Sequence, residues 1–123
     1  MVDVSDEQFA DLIDEALNSL PKEHLRAVKN VAVIYADEPT PKQRQDLKLQ
    51  CNETLFGLYE GVPLAQRGGR TTYLPDKITI FKGPMLRSVQ TLPELKEQIR
   101  HTVWHEVAHY FGLNHEQIHR LER

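Results

Sequence analysis

Cysteine is almost absent: Cys51 is the single one among 123 residues, so the chain cannot close a disulfide on itself. A lone thiol fits a reducing compartment. No apolar run approaches the length of a membrane span. The N-terminus is acidic and lacks the apolar stretch of a signal peptide. The expectation is therefore a soluble cytoplasmic protein with no membrane partner. The first twenty residues contain no Lys or Arg at all, against six acids: Asp3, Asp6, Glu7, Asp11, Asp14 and Glu15. A solvated helix face accounts for that charge. The net charge is only −3, so composition gives no pointer to nucleic acid. Internal repeats are missing, and so is any linker long enough to divide the chain. The reading is one domain over residues 1–123.

What is present is a set of well-punctuated elements. Phe9, Leu12, Ile13, Ala16, Leu17 and Leu20 recur at helical spacing between Ser5 and Pro21. Ser5 with Gln8 forms a capping box, and Pro21 stops the run. Val31–Ala36, a short run rich in β-branched residues, reads as a buried strand. Thr40 before Pro41 opens a short helix. Leu55–Tyr59 and the alternating Lys77–Lys82 read as two more strands. Between them Gly61–Asp76 is a loop by its Gly and Pro content. Its Arg67-Gly68-Gly69-Arg70 lacks a phosphate-loop pattern, so a mobile surface loop flanking the cleft is expected. The longest helix spans Thr91–Phe111, with Thr91 and Glu94 as capping box, Pro93 in the first turn, and Leu95, Ile99, Val103, Val107 and Phe111 as its apolar stripe. Gly112 breaks it, and Asn114 is placed to cap a last short helix through Leu121. The fold class that follows is α+β: a small sheet of about three strands packed on the long helix.

That helix carries the chemistry. It reads His105-Glu106-Val107-Ala108-His109. Four residues is just over one turn, so the two imidazoles project from one face and can reach one ion. Glu106 is the general base toward water in this motif. A catalytic zinc takes three protein ligands, and His115 is the obvious third. On a continued helix it would lie some 15 Å along the axis from His105. A left-handed residue at Gly112 would fold the chain back and bring it within reach. A bare His-Glu-x-x-His arises by chance in roughly one chain of this size in a hundred. The added Gly and His lower that by a further factor of several hundred, which makes accident a poor explanation.

The eleven residues HEVAHYFGLNH match the long zinc-binding signature of the metzincin peptidases. The chain more specifically resembles the short bacterial zincin-like metallopeptidase family, small cytoplasmic proteins also called minimal metalloproteases. LFGLYEGVPL (Leu55–Leu64), ITIFKGPMLR (Ile78–Arg87) and HTVWHEVAHYFGLNH (His101–His115) carry the likeness. The resemblance implies a zincin-like fold, Zn2+ as cofactor, His105, His109 and His115 as ligands, Glu106 as base, and a peptide or protein substrate. One departure stands out: metzincins place a methionine turn after the third histidine, whereas none of the eight residues after His115 is Met, and Met85 lies upstream.

Other residues admit a second role. His119 forms an overlapping His-Glu-x-x-His with His115 and is an alternative ligand. His101 stands one turn before His105, where a hydrogen-bonding or surface role is expected. Cys51 reads as an inert buried thiol. Tyr59, Tyr73 and Tyr110 are each candidates to steady an oxyanion, and Trp104 reads as packing. Two rival functions use the same histidines. The bacterial rRNA-maturation endoribonucleases share the His-x-x-x-His-x-x-x-x-x-His spacing, but Glu106 and the net acidity argue against RNA, despite Arg67, Arg70, Lys77, Lys82 and Arg87. A latent zinc-containing interaction module is the non-enzyme reading, although a structural site normally closes with four ligands. An extended substrate would pair with the strand edge at Leu55–Gly61. Oligomeric state is open.

Overall fold

The computed structural model describes residues 2–28, 31–50, 56–61 and 76–112. In chain order these form α1 (Asp6–Asn18), α2 (Lys22–Ala27), β1 (Ala32–Ala36), α3 (Pro41–Gln50), β2 (Gly57–Glu60), β3 (Lys77–Phe81), α4 (Lys82–Ser88) and α5 (Leu92–Tyr110). The mixed α+β class, with a three-stranded sheet on a long helix, is as the sequence indicates.

Local rules explain the helix starts. The Ser5 hydroxyl accepts the Gln8 N–H while the Gln8 side chain accepts the Ser5 N–H, which closes the expected capping box on α1. Thr40 and Gln43 repeat that reciprocal pair at the start of α3, where Pro41 fills the first turn. At α5 the Thr91 hydroxyl accepts the Glu94 N–H, but the Glu94 carboxylate bonds back to the same hydroxyl. Two short helices were not anticipated. α2 follows Pro21, which ends one helix and caps the next. α4 begins directly after β3, at a Lys-Gly-Pro that resembles a turn. Gly83 is needed there: a Cβ would lie 2.6 Å from the Asp37 carbonyl oxygen.

The sheet order is β1-β3-β2. β3 lies in the middle, parallel to β1 (Val33 beside Ile78) and antiparallel to β2 (Tyr59 beside Ile78). α1 and α5 cover one face. Phe9, Ile13 and Ala16 of α1 meet Leu95, Ile99, Val103 and Val107 of α5, with Ile78, Ile80 and Tyr59 from the sheet. Leu58 and Phe81 are buried on the other face beside Ala36.

One expectation needs correction. The apolar run Val31–Ala36 reads as a buried strand, yet β1 is an edge strand with Ala32, Ile34 and Tyr35 exposed. The central position belongs to β3, where even Thr79 is only 1% exposed. Residues 62–75, most of the expected loop, and the proposed helix from Asn114 lie outside the described residues, as do Cys51, His115 and His119. Among the described residues no helix is long and apolar enough to cross a membrane.

Candidate metal centre

The stripe that seats α5 in the core also buries its C-terminal half. Leu95, Ile99, Val103 and Val107 are fully buried. In that half both sides of the helix are covered: His105 and Glu106 are buried together with Thr102, Val103, Val107 and Ala108, and His109 is half-buried. The His105 and His109 rings lie 4.9 Å apart between centroids at an interplanar angle of 73°. One donor atom from each of His105, Glu106 and His109 falls within 4.8 Å of the others. Two imidazoles and a carboxylate so close together make a donor set suited to zinc.

The helix ends where the chemistry requires it. Phe111 caps α5 in helical geometry, the Gly112 N–H bonds to the His109 carbonyl at 2.9 Å, and Gly112 has φ +86°. Gly112 thus has the positive φ expected of it from the sequence, and the helical geometry ends there. His115, three residues beyond, is outside the described residues.

Glu106 is held by a backbone group that no side-chain pattern reveals. The Phe81 N–H bonds to the Phe56 carbonyl, which fixes the alternation along β2. By that alternation Gly57 and Tyr59 turn their backbone groups away from β3. The Tyr59 N–H accordingly donates to Glu106 Oε1 at 2.9 Å. Burial pushes the Glu106 carboxyl up to about 8, and the Tyr59 N–H opposes only part of that rise. Close approach of β2 to α5 depends on Gly57. A Cβ there would sit 2.8 Å from Thr102 Cγ2 and 3.3 Å from Glu106 Cγ. Gly57→Val should therefore lift β2 from α5, break the Tyr59–Glu106 bond and cost about 1–3 kcal/mol. Urea denaturation measures this, and wild-type stability in the variant would refute the tight approach.

Around this pair, the Tyr59 ring meets Tyr110 edge-to-face at 5.8 Å, and its hydroxyl donates to Asp76 Oδ1 at 2.8 Å. Of the three tyrosines considered for an oxyanion, Tyr59 thus has its hydroxyl engaged elsewhere, Tyr110 is buried, and Tyr73 lies outside the described residues. Asp76 was not anticipated; its only trace in the sequence is its place just before β3. His101 is exposed, with its ring 6.4 Å from that of His105. Trp104 packs beside His24, as expected of it.

Comparison with known proteins identifies the family and the fold. The model of the zincin-like metallopeptidase family matches residues 28–123. The chain therefore belongs to that family, which points to a zinc hydrolase. A conserved hypothetical protein from T. thermophilus has a similar fold. It superposes with a TM-score of 0.55 at 20% identity, over 88% of this chain and 94% of that one. The search of curated proteins gives no match.

Proposed function

We propose that the chain is a metallopeptidase in which His105, His109 and His115 hold Zn2+ and Glu106 serves as the base. The observation that carries this reading is the juxtaposition of His105, Glu106 and His109 on one buried turn of helix, against an edge strand. A zinc ion bound there supplies a Lewis acid and lowers the pKa of its water to about 7. Glu106 receives the proton of the attacking water on its carboxylate and passes it to the leaving amine.

β2 supplies the docking edge. It is an edge strand and it borders Glu106, and its buried residues Gly57, Leu58 and Tyr59 must part from α5 for an extended substrate to pair with it. An extended peptide paired with β2 would take over the Tyr59 N–H that Glu106 now accepts. Docking then releases the carboxylate toward the water, so longer peptides should be cleaved faster than dipeptides.

Zinc-dependent cleavage of an unbiased peptide library, beside a single-stranded RNA control, tests the proposal. Peptide cleavage that vanishes on chelation and returns with zinc is expected. Cleavage of RNA alone would favour the ribonuclease reading, and cleavage of neither would favour a latent module.

The ligand assignment has its own test. Gly112→Val should weaken zinc binding although it touches no ligand, because a β-branched residue resists φ +86°. His115→Ala should weaken zinc by more than the ~10–100-fold typical of residues that merely orient a ligand, and His119→Ala should change it little. Competition with a chromogenic chelator reads both. Equal losses in the two histidine variants would overturn the assignment of His115.

A further inference from the structure

β1 exposes an open sheet edge. The Ala32 N–H bonds to the Asp76 carbonyl, so Ala32, Ile34 and Ala36 direct their backbone groups at β3. By the same alternation the N–H and C=O groups of Val33 and Tyr35 point away from the sheet. Among the described residues nothing bonds to them. Edge strands are ordinarily protected by Lys, Pro, a bulge or a covering element. Ala-Val-Ile-Tyr-Ala contains none of these residues, its ladder with β3 runs without a bulge, and Ile34 is 43% exposed and Tyr35 37%. A groove of about 220 Å³ runs alongside, between β1 and α1, lined by Ala10, Ile13, Asp14, Val33, Ile34 and Tyr35.

The charge beside this edge limits what can fill it. α1 bears Glu7, Asp11 and Asp14 on exposed positions, and among the described residues none of the three forms an ion pair. Asp6 is bonded to Lys82. The first twenty residues offer no Lys or Arg. Pairing β1 with the β1 of a second copy would bring two such acidic helices onto one face of the joined sheet, and like charges so placed repel.

We infer that β1 is a docking edge for an extended segment of another polypeptide, in which Lys or Arg alternates with β-branched apolar residues. The segment adds a fourth strand by bonding to the outward groups of Val33 and Tyr35. Its apolar side chains lie beside Ile34 on one face. Its Lys or Arg stems cross Ala10 and Ile13 on the other, with their charged ends at Asp14. This edge is separated from the metal centre by β3, so the inference does not depend on the peptidase reading.

The probe is a capped eight-residue peptide alternating Lys and Val, added to the full chain carrying Glu106→Gln so that it is not hydrolysed. Fluorescence anisotropy gives the affinity, and amide exchange followed by NMR gives the location. Binding should slow exchange at Val33 and Tyr35 at least ten-fold. Val33→Pro removes a donor that bonds nothing in the sheet, and should weaken binding at least ten-fold. Asp14→Lys, on the exposed face of α1, should do the same, and covers the case in which the proline variant fails to fold. A peptide with Glu in place of Lys should not bind. The inference is overturned if the Lys–Val peptide does not bind, if the Glu peptide binds equally, or if protection appears only around Tyr59 and His105. It is also overturned if Val33 and Tyr35 are already protected in the protein alone in a concentration-dependent way, which would identify a second copy as the occupant.

Discussion

Glu106→Gln is expected to lower hydrolysis by about 10²–10⁴-fold, the range a positioned acid–base group contributes, while zinc content stays unchanged. Glutamine is isosteric, and its Oε1 can accept the Tyr59 N–H as the carboxylate does now at 2.9 Å. The contact between β2 and α5 therefore survives. What disappears is the ability to receive a proton from water. The variant also separates two roles that geometry leaves side by side, because a Glu106 oxygen lies within 4.8 Å of the histidine donors. A base leaves zinc in place when replaced, whereas a ligand takes zinc with it. Metal analysis beside a peptide-cleavage assay decides the matter, and full activity with zinc bound would remove Glu106 as base.

The second large effect concerns the metal-free protein and pH. The Glu106 carboxyl has its folded pKa raised from 4.5 to about 8, with burial as the main cause. Between those values the folded state binds more protons at this site than the unfolded state, so stability falls as pH rises. The contribution is complete below about 4.5 and is lost as pH passes through about 8. Such a shift corresponds to roughly 3–5 kcal/mol between the two limits. Urea unfolding of chelated protein from about pH 5 to about pH 9 should show wild type losing several kcal/mol more than Glu106→Gln, which has no proton to lose. With zinc restored the difference should shrink, since the cation favours the charged carboxylate. Parallel pH profiles for the two metal-free proteins would contradict this account of the buried carboxyl.

Much of this architecture is legible from local pattern. The Ser5–Gln8 box and the stripe from Leu95 to Val107 each rest on a few neighbouring residues, and both appear as read. The left-handed Gly112 follows from where the periodicity stops and from which residue tolerates positive φ. β1 departs from its apolar pattern. Its continuous apolar run suggests burial on both faces, while the alternation in Lys-Ile-Thr-Ile-Phe suggests one wet face. The structure reverses the two, because strand order is a tertiary property and Thr79 carries no mark of being central. The neighbours of Glu106 are hidden for a similar reason. Tyr59 acts through its backbone N–H, which every residue but proline possesses, and Gly57 matters because Thr102 and Glu106 of α5 and Ile80 of β3 lie close against it. Forty-seven residues separate Tyr59 from Glu106, and no spacing rule spans them.

The dual use of α5 bears on how this protein can diverge. Leu95, Ile99, Val103 and Val107 are fixed by packing, and His105 and Glu106 are buried on the same helix, so the α5 part of the core, two of the three proposed ligands and the proposed base share a single stretch of nineteen residues. Nine of those nineteen are buried, which leaves drift to exposed positions such as Lys96, Arg100 and His101. A lineage that altered the inner face to gain heat tolerance would disturb the reaction centre in the same step. Adaptation of this chain to new substrates should therefore be recorded outside α5, with the helix itself remaining the slowest-changing part of the gene.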